Sequence, residues 1–473
     1  MLNAKSLGFI AILLFSSRAI AQKSPCATQL LNGSSAVSSS DMLCLIPQVY
    51  GPGGLVGTDN GGPLVKTTGH EAHFQASSVS DFRPINAEIG LQLSQVPLAA
   101  PVAGVSFQNG VWQESIGLGP VLADRAETIG RHTVFVGFNY EYFDFDRADN
   151  INLRNFGAVF SHEFEPCPGD PSLTGVPCII NKDNESVPLY SQDVIATVNR
   201  LDLMVNQYSV VGTYGLSSRW DISLAVPILQ VRMNMISNAT IYNFEPPPVN
   251  HLFDSSSSES GETYISPSNA VFHNHNSAMG IGDIRLRNKF VAWQSDDEKS
   301  SIAAGLDIRF PSGDPYNFTG SGTWGVRPFV IFSHAAQISP HMGAGFESNG
   351  QSILAGDVTV QPIAKDHLPD VLSYNVGVDT GLPHVRWLGV SADFIGNSLM
   401  SANRIKAAST TDYGGNAHAD MAPSMSTVNE AAVSLGAKIR ASRLLIVGNC
   451  LIRVNNAGLH YKPSPLIGVS YTF

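Results

Sequence analysis

The stretch Thr133-Val-Phe-Val-Gly-Phe-Asn-Tyr-Glu-Tyr-Phe143 decides the fold class of this chain. Successive side chains of a β-strand point to opposite faces, so residues two apart share a face. Val134, Val136, Phe138, Tyr140 and Tyr142 therefore lie on one side, and Phe135, Gly137, Asn139 and Glu141 on the other. A helical period of 3.6 would mix the two sets around one circumference. The stretch reads as a strand with one apolar face and one mixed, partly polar face.

The theme repeats downstream. Ile284, Leu286, Phe290 and Ala292 oppose Asp283, Arg285, Arg287 and Lys289. Ile302, Ala304, Leu306, Ile308 and Phe310 oppose Ala303, Gly305, Asp307 and Arg309. Leu372, Tyr374, Val376 and Val378 oppose Ser373, Asn375, Gly377 and Asp379, and Ala431, Val433, Leu435, Ala437 and Ile439 oppose Ser434, Gly436, Lys438 and Arg440. Twelve segments fall near 131–145, 199–216, 220–235, 281–294, 300–310, 323–337, 341–350, 370–381, 385–396, 428–440, 443–455 and 464–473. Each reaches the roughly 9–11 residues with which a tilted strand crosses a bilayer. Strands of soluble domains are nearer 5–6 residues.

The connections alternate in length. Short ones fall at 217–219, 295–299, 338–340, 382–384 and 441–442; long ones at 146–198, 236–280, 311–322, 351–369, 397–427 and 456–463. Outer-membrane barrels pair short periplasmic turns with longer outer loops and an even strand number. A charge on the lipid face near the midplane costs about 2–4 kcal/mol, and the clearest segments keep Arg, Lys and Asp on the opposite face. Tyr140, Tyr142, Trp220, Trp293, Phe310, Trp324, Trp387, Tyr471 and Phe473 stand toward strand ends, where interfacial girdles form. The expected fold is all-β: a transmembrane antiparallel up-and-down β-barrel of about 12 strands, with 10 to 14 compatible. Pro227 and Pro328 each remove a ladder hydrogen bond, so bulges are expected there. The second and sixth segments alternate poorly, and Leu445, Val447 and Leu451 fall on the lumen face of the eleventh.

The N-terminus carries export features: Lys5, an apolar run from Leu7 to Phe15, and Ala19-Ile20-Ala21 as a small-residue cleavage pattern. The expected division is a signal peptide at 1–21, an N-terminal periplasmic or plug segment at 22–128, and the barrel at 129–473. Within 22–128, Val105–Phe107 and Val111–Gln113 flank Asn109-Gly110, a hairpin turn signal. Ser255–Ser258 opens a low-complexity loop run.

Composition agrees with this division. Charged residues are 14% of the chain, against about 25% in soluble domains. The net charge of −11 argues against a nucleic-acid partner. Five cysteines suit an oxidising compartment. Cys167 with Cys178 and Cys26 with Cys44 are candidate loop staples, leaving Cys450 over; spacing alone does not set the pairing.

The polar face gathers Glu141, Asp221, Arg285, Arg287, Lys289, Asp307, Arg309, Asp379, Asp393, Lys438 and Arg440 as candidate lumen residues. They either form a selective constriction or pair across the bore. Arg285, Arg287 and Lys289 have few acids in their own strand. They are the first candidates for an anion-facing patch, unless the N-terminal segment neutralises them. His273-Asn-His-Asn-Ser277 falls in an expected long loop, with no nucleophile elbow and too few ligands for a metal. Asp314-Pro-Tyr316 reads as turn chemistry. No phosphate loop, zinc-protease motif or dinucleotide fingerprint occurs; no cofactor, metal or enzymatic activity is expected.

Thr128-Ile-Gly-Arg131, Thr213-Tyr-Gly-Leu216, Arg219-Trp-Asp-Ile222, Gly280-Ile-Gly-Asp-Ile-Arg-Leu-Arg-Asn-Lys-Phe290 and Gly305-Leu-Asp-Ile-Arg-Phe-Pro-Ser-Gly-Asp314 are the motifs that point to a family. With them the chain resembles, over about 128–473, the outer-membrane family described as putative MetA-pathway of phenol degradation. That family is similar in architecture to the long-chain fatty-acid transporter barrels. The resemblance implies an outer-membrane location and uptake of small aromatic or other hydrophobic solutes, and it carries no catalytic residue. The expected partners are outer-membrane lipid, the barrel-assembly machinery during insertion, and a small-molecule solute. The alternative is a non-conducting structural or surface-binding barrel.

Overall fold

The structure, a computed structural model, describes residues 26, 39–51, 54–55, 58–59, 74–94, 105–108, 111–114, 123–162, 167, 178–181, 184–244, 251–253, 264–360, 362–382 and 385–473. The expected signal peptide and the Ser255–Ser258 run lie outside the described residues.

The wall is a closed antiparallel barrel of 12 strands. In chain order they are β1 (Val134–Ala148), β2 (Val194–Ser217) and β3 (Trp220–Tyr242), then β4 (Asn269–Ile281) and β5 (Arg285–Gln294), which share one stave. There follow β6 (Ser300–Arg309), β7 (Gly325–His334), β8 (Ile338–Asn349) and β9 (Val371–Leu382). The circuit ends with β10 (Val385–Thr411), β11 (Ala417–Ala441), β12 (Leu444–Arg453) and β13 (Ser464–Thr472). The last strand pairs with the first, Val469 opposite Phe138 and Tyr471 opposite Val136, so the described ladder leaves no open edge.

The faces are inverted relative to a water-soluble barrel. Phe138 is 44% exposed, Val376 51% and Ile467 63%, all outward, whereas Arg309 is 2% and Asp379 1% exposed on the inside. An apolar exterior around a charged interior is stable only with hydrocarbon outside. Trp220, Trp293, Trp387, Tyr471 and Phe473 form an exposed ring at the short-turn end, and Trp324 marks the other rim. The chain is a transmembrane barrel, and its even strand number and antiparallel wall place it in the outer membrane of a Gram-negative-type cell.

Several boundaries differ from the sequence reading. The stretch 397–427 is mostly strand: β10 and β11 continue outward in register from Ala402↔Ser426 to Thr411↔Ala417, with a tip of only 412–416. A bulge between Leu399 and Ala402, with Ser401 at φ 53°, steps the alternation out of phase and hides the continuation. The connection expected over 236–280 shrinks to 243–268, because β3 runs on to Tyr242 and β4 begins at Asn269. The turn expected at 338–340 is 335–337, since β8 starts at Ile338.

Neither proline makes a bulge. Pro227 faces Ser209 in unshifted register, and its missing N–H falls where the neighbouring stave is already broken between β4 and β5. At Pro328 the β7–β8 register continues from Val326↔Ser348 to Phe329↔Gly345. Bulges sit instead at Trp220/Asp221, Val291/Trp293 and Gly381/Leu382. The second segment also alternates regularly: Leu201, Leu203, Val205, Gln207, Ser209, Val211 and Thr213 all point inward.

Twelve strands enclose more room than wall side chains fill. Chain from before β1 occupies it. Phe74, just before helix α1 (Gln75–Ser80), helix α2 (Arg83–Leu93) and Met42, Leu43, Leu45, Ile46, Val49, Tyr50 and Leu55 share one core with inward residues of β1, β2, β3, β10 and β11. Met42, Ile46, Tyr50, Phe82, Ile85 and Ile89 from this segment are fully buried. Val105–Gln108 and Val111–Glu114 pair as a separate two-stranded ribbon. Cys26 is joined to Cys44 and Cys167 to Cys178, while Cys450 is a free, half-buried thiol.

Candidate functional site: the filled lumen

The lumen has two unlike halves. Toward the outer rim it is apolar: Phe143 and Phe145 of β1, Val205 of β2, Leu229, Val231 and Met233 of β3, and Leu451 of β12 face the N-terminal core. Polar contacts hold that core in place. Asn274 Nδ2 donates to the carbonyls of Leu45 (3.0 Å) and Gln48 (3.3 Å), and Asn276 Nδ2 to that of Ser40 (2.6 Å). The Tyr50 and Ser237 hydroxyls lie 2.6 Å apart, and Ile405 N donates to Glu88 Oε2 at 2.9 Å. Burial holds the Glu88 carboxyl well above the usual carboxylate range and raises Asp81, between the two helices, to about 6.

His273-Asn-His-Asn-Ser277 is thus on β4, not in a flexible loop. Strand alternation splits it. Asn274 and Asn276 point inward to the N-terminal segment, while the stacked rings of His273 and His275 lie outward, with His273 on Asn234. Asp314 caps the short 3-10 turn Pro315–Asn317 by accepting from Tyr316 N at 2.9 Å.

The ionic part of the lumen runs along β5–β11, from the periplasmic turns up to the outer ends of β6 and β8. Arg309 reaches Glu347 at 3.0 Å and Asp283 at 3.2 Å, and Arg285 reaches Glu347 at 3.3 Å. Arg287 pairs with Asp307 at 2.7 Å, and Arg327 pairs with the same carboxylate. His341 lies between Asp393 (2.6 Å) and Asp379 (3.5 Å). Lys438 is buried near these acids, and Arg440 is half-buried at the end of the same strand. Glu141 is buried on β1.

Residues 123–130 cross this layer. Asp124 accepts from Arg287 at 2.9 Å and Lys289 at 3.3 Å, and Lys289 also donates to the carbonyls of Arg125 and Glu127, each at 2.9 Å. Arg125 reaches Asp379 at 3.3 Å, Ala126 N donates to Ser333 Oγ at 3.2 Å, and Ile129 N to Asp221 Oδ2 at 3.0 Å. One short segment is stitched to β3, β5, β7 and β9. The cations singled out in β5 therefore each hold a carboxylate, two of them through the N-terminal segment. Asp124, Arg125, Asp283, Arg327, His341 and Glu347 complete the network and were not among the sequence candidates. Glu347 and Asp283 carried the right parity in their segments; Asp124 and Arg125 lie in chain with no strand period and gave no signal.

A second feature is the break in the stave between β4 and β5. Residues 282–284 leave the ladder, with Gly282 N donating to Pro227 O at 2.8 Å. Beside it is a recess of about 350 Å³ lined by Leu93, Pro227, Leu229, Asp283, Arg285 and Arg309, among others. It touches both the apolar and the ionic half of the lumen.

These features define a class: an outer-membrane β-barrel whose bore holds the described residues 42–51, 74–94 and 123–130 of its own chain. The family model described as "Putative MetA-pathway of phenol degradation" matches residues 204–382, the same family that the motifs quoted above resemble. Among solved structures the chain is similar to an outer membrane channel from Pseudomonas putida F1, at 8% identity over 74% of this chain and 98% of that one, with a TM-score of 0.39. It is also similar to a FadL homologue of Pseudomonas aeruginosa, at 9% identity over 73% and 90%, with a TM-score of 0.29. No curated protein matches the chain.

Proposed function

We propose that this barrel is a gated channel that carries small hydrophobic or aromatic solutes across the outer membrane. The apolar outer half of the lumen carries the reading. A water-filled pore has a polar interior, whereas Phe143, Phe145, Val205, Val231 and Leu451, now packed on the N-terminal segment, would on its displacement give this one a lining on which an apolar solute is better solvated than in water. The ionic layer at 123–130 would be the gate, and the break beside Gly282 a lateral way out of the wall. Insertion would depend on the barrel-assembly machinery, as for barrels in general.

Vesicles with a lipopolysaccharide outer leaflet, which slows hydrophobic solutes, test the reading. With the full chain inserted, entry of a fluorescent aromatic probe should exceed that into empty vesicles. Equal rates would favour the alternative, a non-conducting structural or surface-binding barrel.

A further inference from the structure

The outward face of β3 is apolar at Trp220, Ile222, Leu224, Val226 and Ile228, then turns polar at Gln230 and Arg232. At about 3.3 Å per residue and a tilt of about 40°, the run from Trp220 to Gln230 rises about 25 Å, the height of a barrel's apolar band. Arg232 therefore stands at the headgroups of the outer leaflet. The neighbouring strands change character at the same level. Asp144 of β1 and Arg232 of β3 both lie opposite Met204 of β2 in the ladder.

Cations gather on this flank. Arg154 bonds Asp144 at 3.1 Å and Asp202 at 3.3 Å, Arg200 bonds Asp202 at 3.0 Å, and Lys462 bonds Asp144 at 2.6 Å. Two carboxylates are thus shared by three cations. Arg232 makes no ion pair among the described residues; its Nη2 donates to Gln230 Oε1 at 3.3 Å. Gln230 also accepts from Asn206 at 3.2 Å, and Asn206 from the Tyr140 hydroxyl at 2.8 Å, so a neutral chain of bonds steadies a guanidinium that still has N–H groups to give. Arg147 is exposed opposite His460, which holds Asp146 at 2.6 Å. Cations therefore outnumber carboxylates on this flank of a chain whose net charge is −11. The outer ends of β6, β7 and β8 present Phe310, Trp324 and Ser348 instead, with no charge.

We infer that the outer flank of β1–β3 is a binding site for a phosphorylated glycolipid of the outer leaflet, a molecule of the lipid A type. Arg232 and Arg200 take phosphate oxygens, for which a guanidinium is well shaped. The acyl chains lie along Leu224, Val226 and Ile228 below. The cations span three neighbouring strands, about 10 Å across. That width suits a disaccharide with a phosphate at either end better than the single phosphodiester of a phospholipid. A free phosphate ion would make no use of the apolar belt.

Native mass spectrometry of the full chain in detergent tests this, with diphosphoryl lipid A, its fully dephosphorylated form and phosphatidylglycerol added in turn. Diphosphoryl lipid A should bind about tenfold or more tightly than either of the others. The double variant Arg200→Ala/Arg232→Ala should lose most of that margin, since each cation at a membrane surface adds to the attraction. Lys299→Ala, which removes an exposed cation from the turn between β5 and β6, should keep it. Heat-modifiable gel mobility reports an intact barrel in each variant. Equal affinity for the phosphorylated and the bare glycolipid overturns the inference, as does an equal loss in Lys299→Ala. Phosphatidylglycerol binding as tightly, or displacement of lipid A by inorganic phosphate alone, would reduce the site to general attraction of anions and overturn it too.

Discussion

Asp124, from the chain that precedes the first barrel strand, accepts from Arg287 at 2.9 Å and Lys289 at 3.3 Å, two cations of one wall strand. Asp307 also holds Arg287, so the wall alone half-satisfies this pair and the N-terminal segment completes it. Such an arrangement ties the position of the N-terminal segment to the charge of the wall.

Removing the Asp124 charge should therefore loosen the periplasmic end without dismantling the wall. Asp124→Asn is expected to raise the open probability in single-channel recordings, and Asp124→Lys, which repels Arg287 and Lys289, to raise it further. Recordings as silent as those of the natural chain would show that residues 123–130 are not the barrier to ions.

Asp307 differs because both of its partners belong to the wall: Arg287 of β5 and Arg327 of β7. Breaking a buried pair by removing one partner costs about 3–5 kcal/mol, because the opposing charge stays buried. Asp307→Asn should lower barrel stability by an amount of that order in denaturant unfolding from lipid vesicles. A change under about 1 kcal/mol would mean that Asp124 and Glu347 absorb the freed arginines.

How far this was legible follows from which solvent touched each residue. Where lipid lies outside, as along Val134–Tyr142 or Leu372–Val378, it accepts only apolar side chains, and the period of two stands out. Beyond the bilayer β10 and β11 meet water, so exposed Lys406, Ser409 and Ser426 stand where lipid would demand apolar residues, and the same strands read as loop. The bulge at Ser401 completes the disguise. The lumen charges were found by parity alone, but their partners were not. A partner such as Asp124 is chosen by three-dimensional proximity, and its own segment has no period to betray it.

Asp81 and Glu88 make docking of the N-terminal segment depend on pH. Burial raises both carboxyls, Asp81 to about 6, so the docked segment binds protons more tightly than the free one. By linkage, docking is strongest below the free carboxylate pKa near ~4 and weakens as pH rises toward the docked value. Amide exchange protection of α2, corrected for intrinsic rates, should fall between pH 4 and 7, and Asp81→Asn should flatten the lower part of that change. Protection that rises with pH would reverse the sign and refute the assignment.

Where the bilayer ends along β10 can be located by charge. Phe394 and Ala407 are both exposed on this strand, the first within the belt of exposed apolar residues and the second beyond the bulge at Ser401. Arginine on a lipid face near the midplane costs about 2–4 kcal/mol, falling to about 0–1 near the interface. Phe394→Arg should therefore destabilise the folded barrel by an amount in the first range in vesicle unfolding titrations, and Ala407→Arg by little or nothing. Equal penalties would put lipid against the outer half of β10, and the long β10–β11 hairpin would then lie in the membrane rather than project from it.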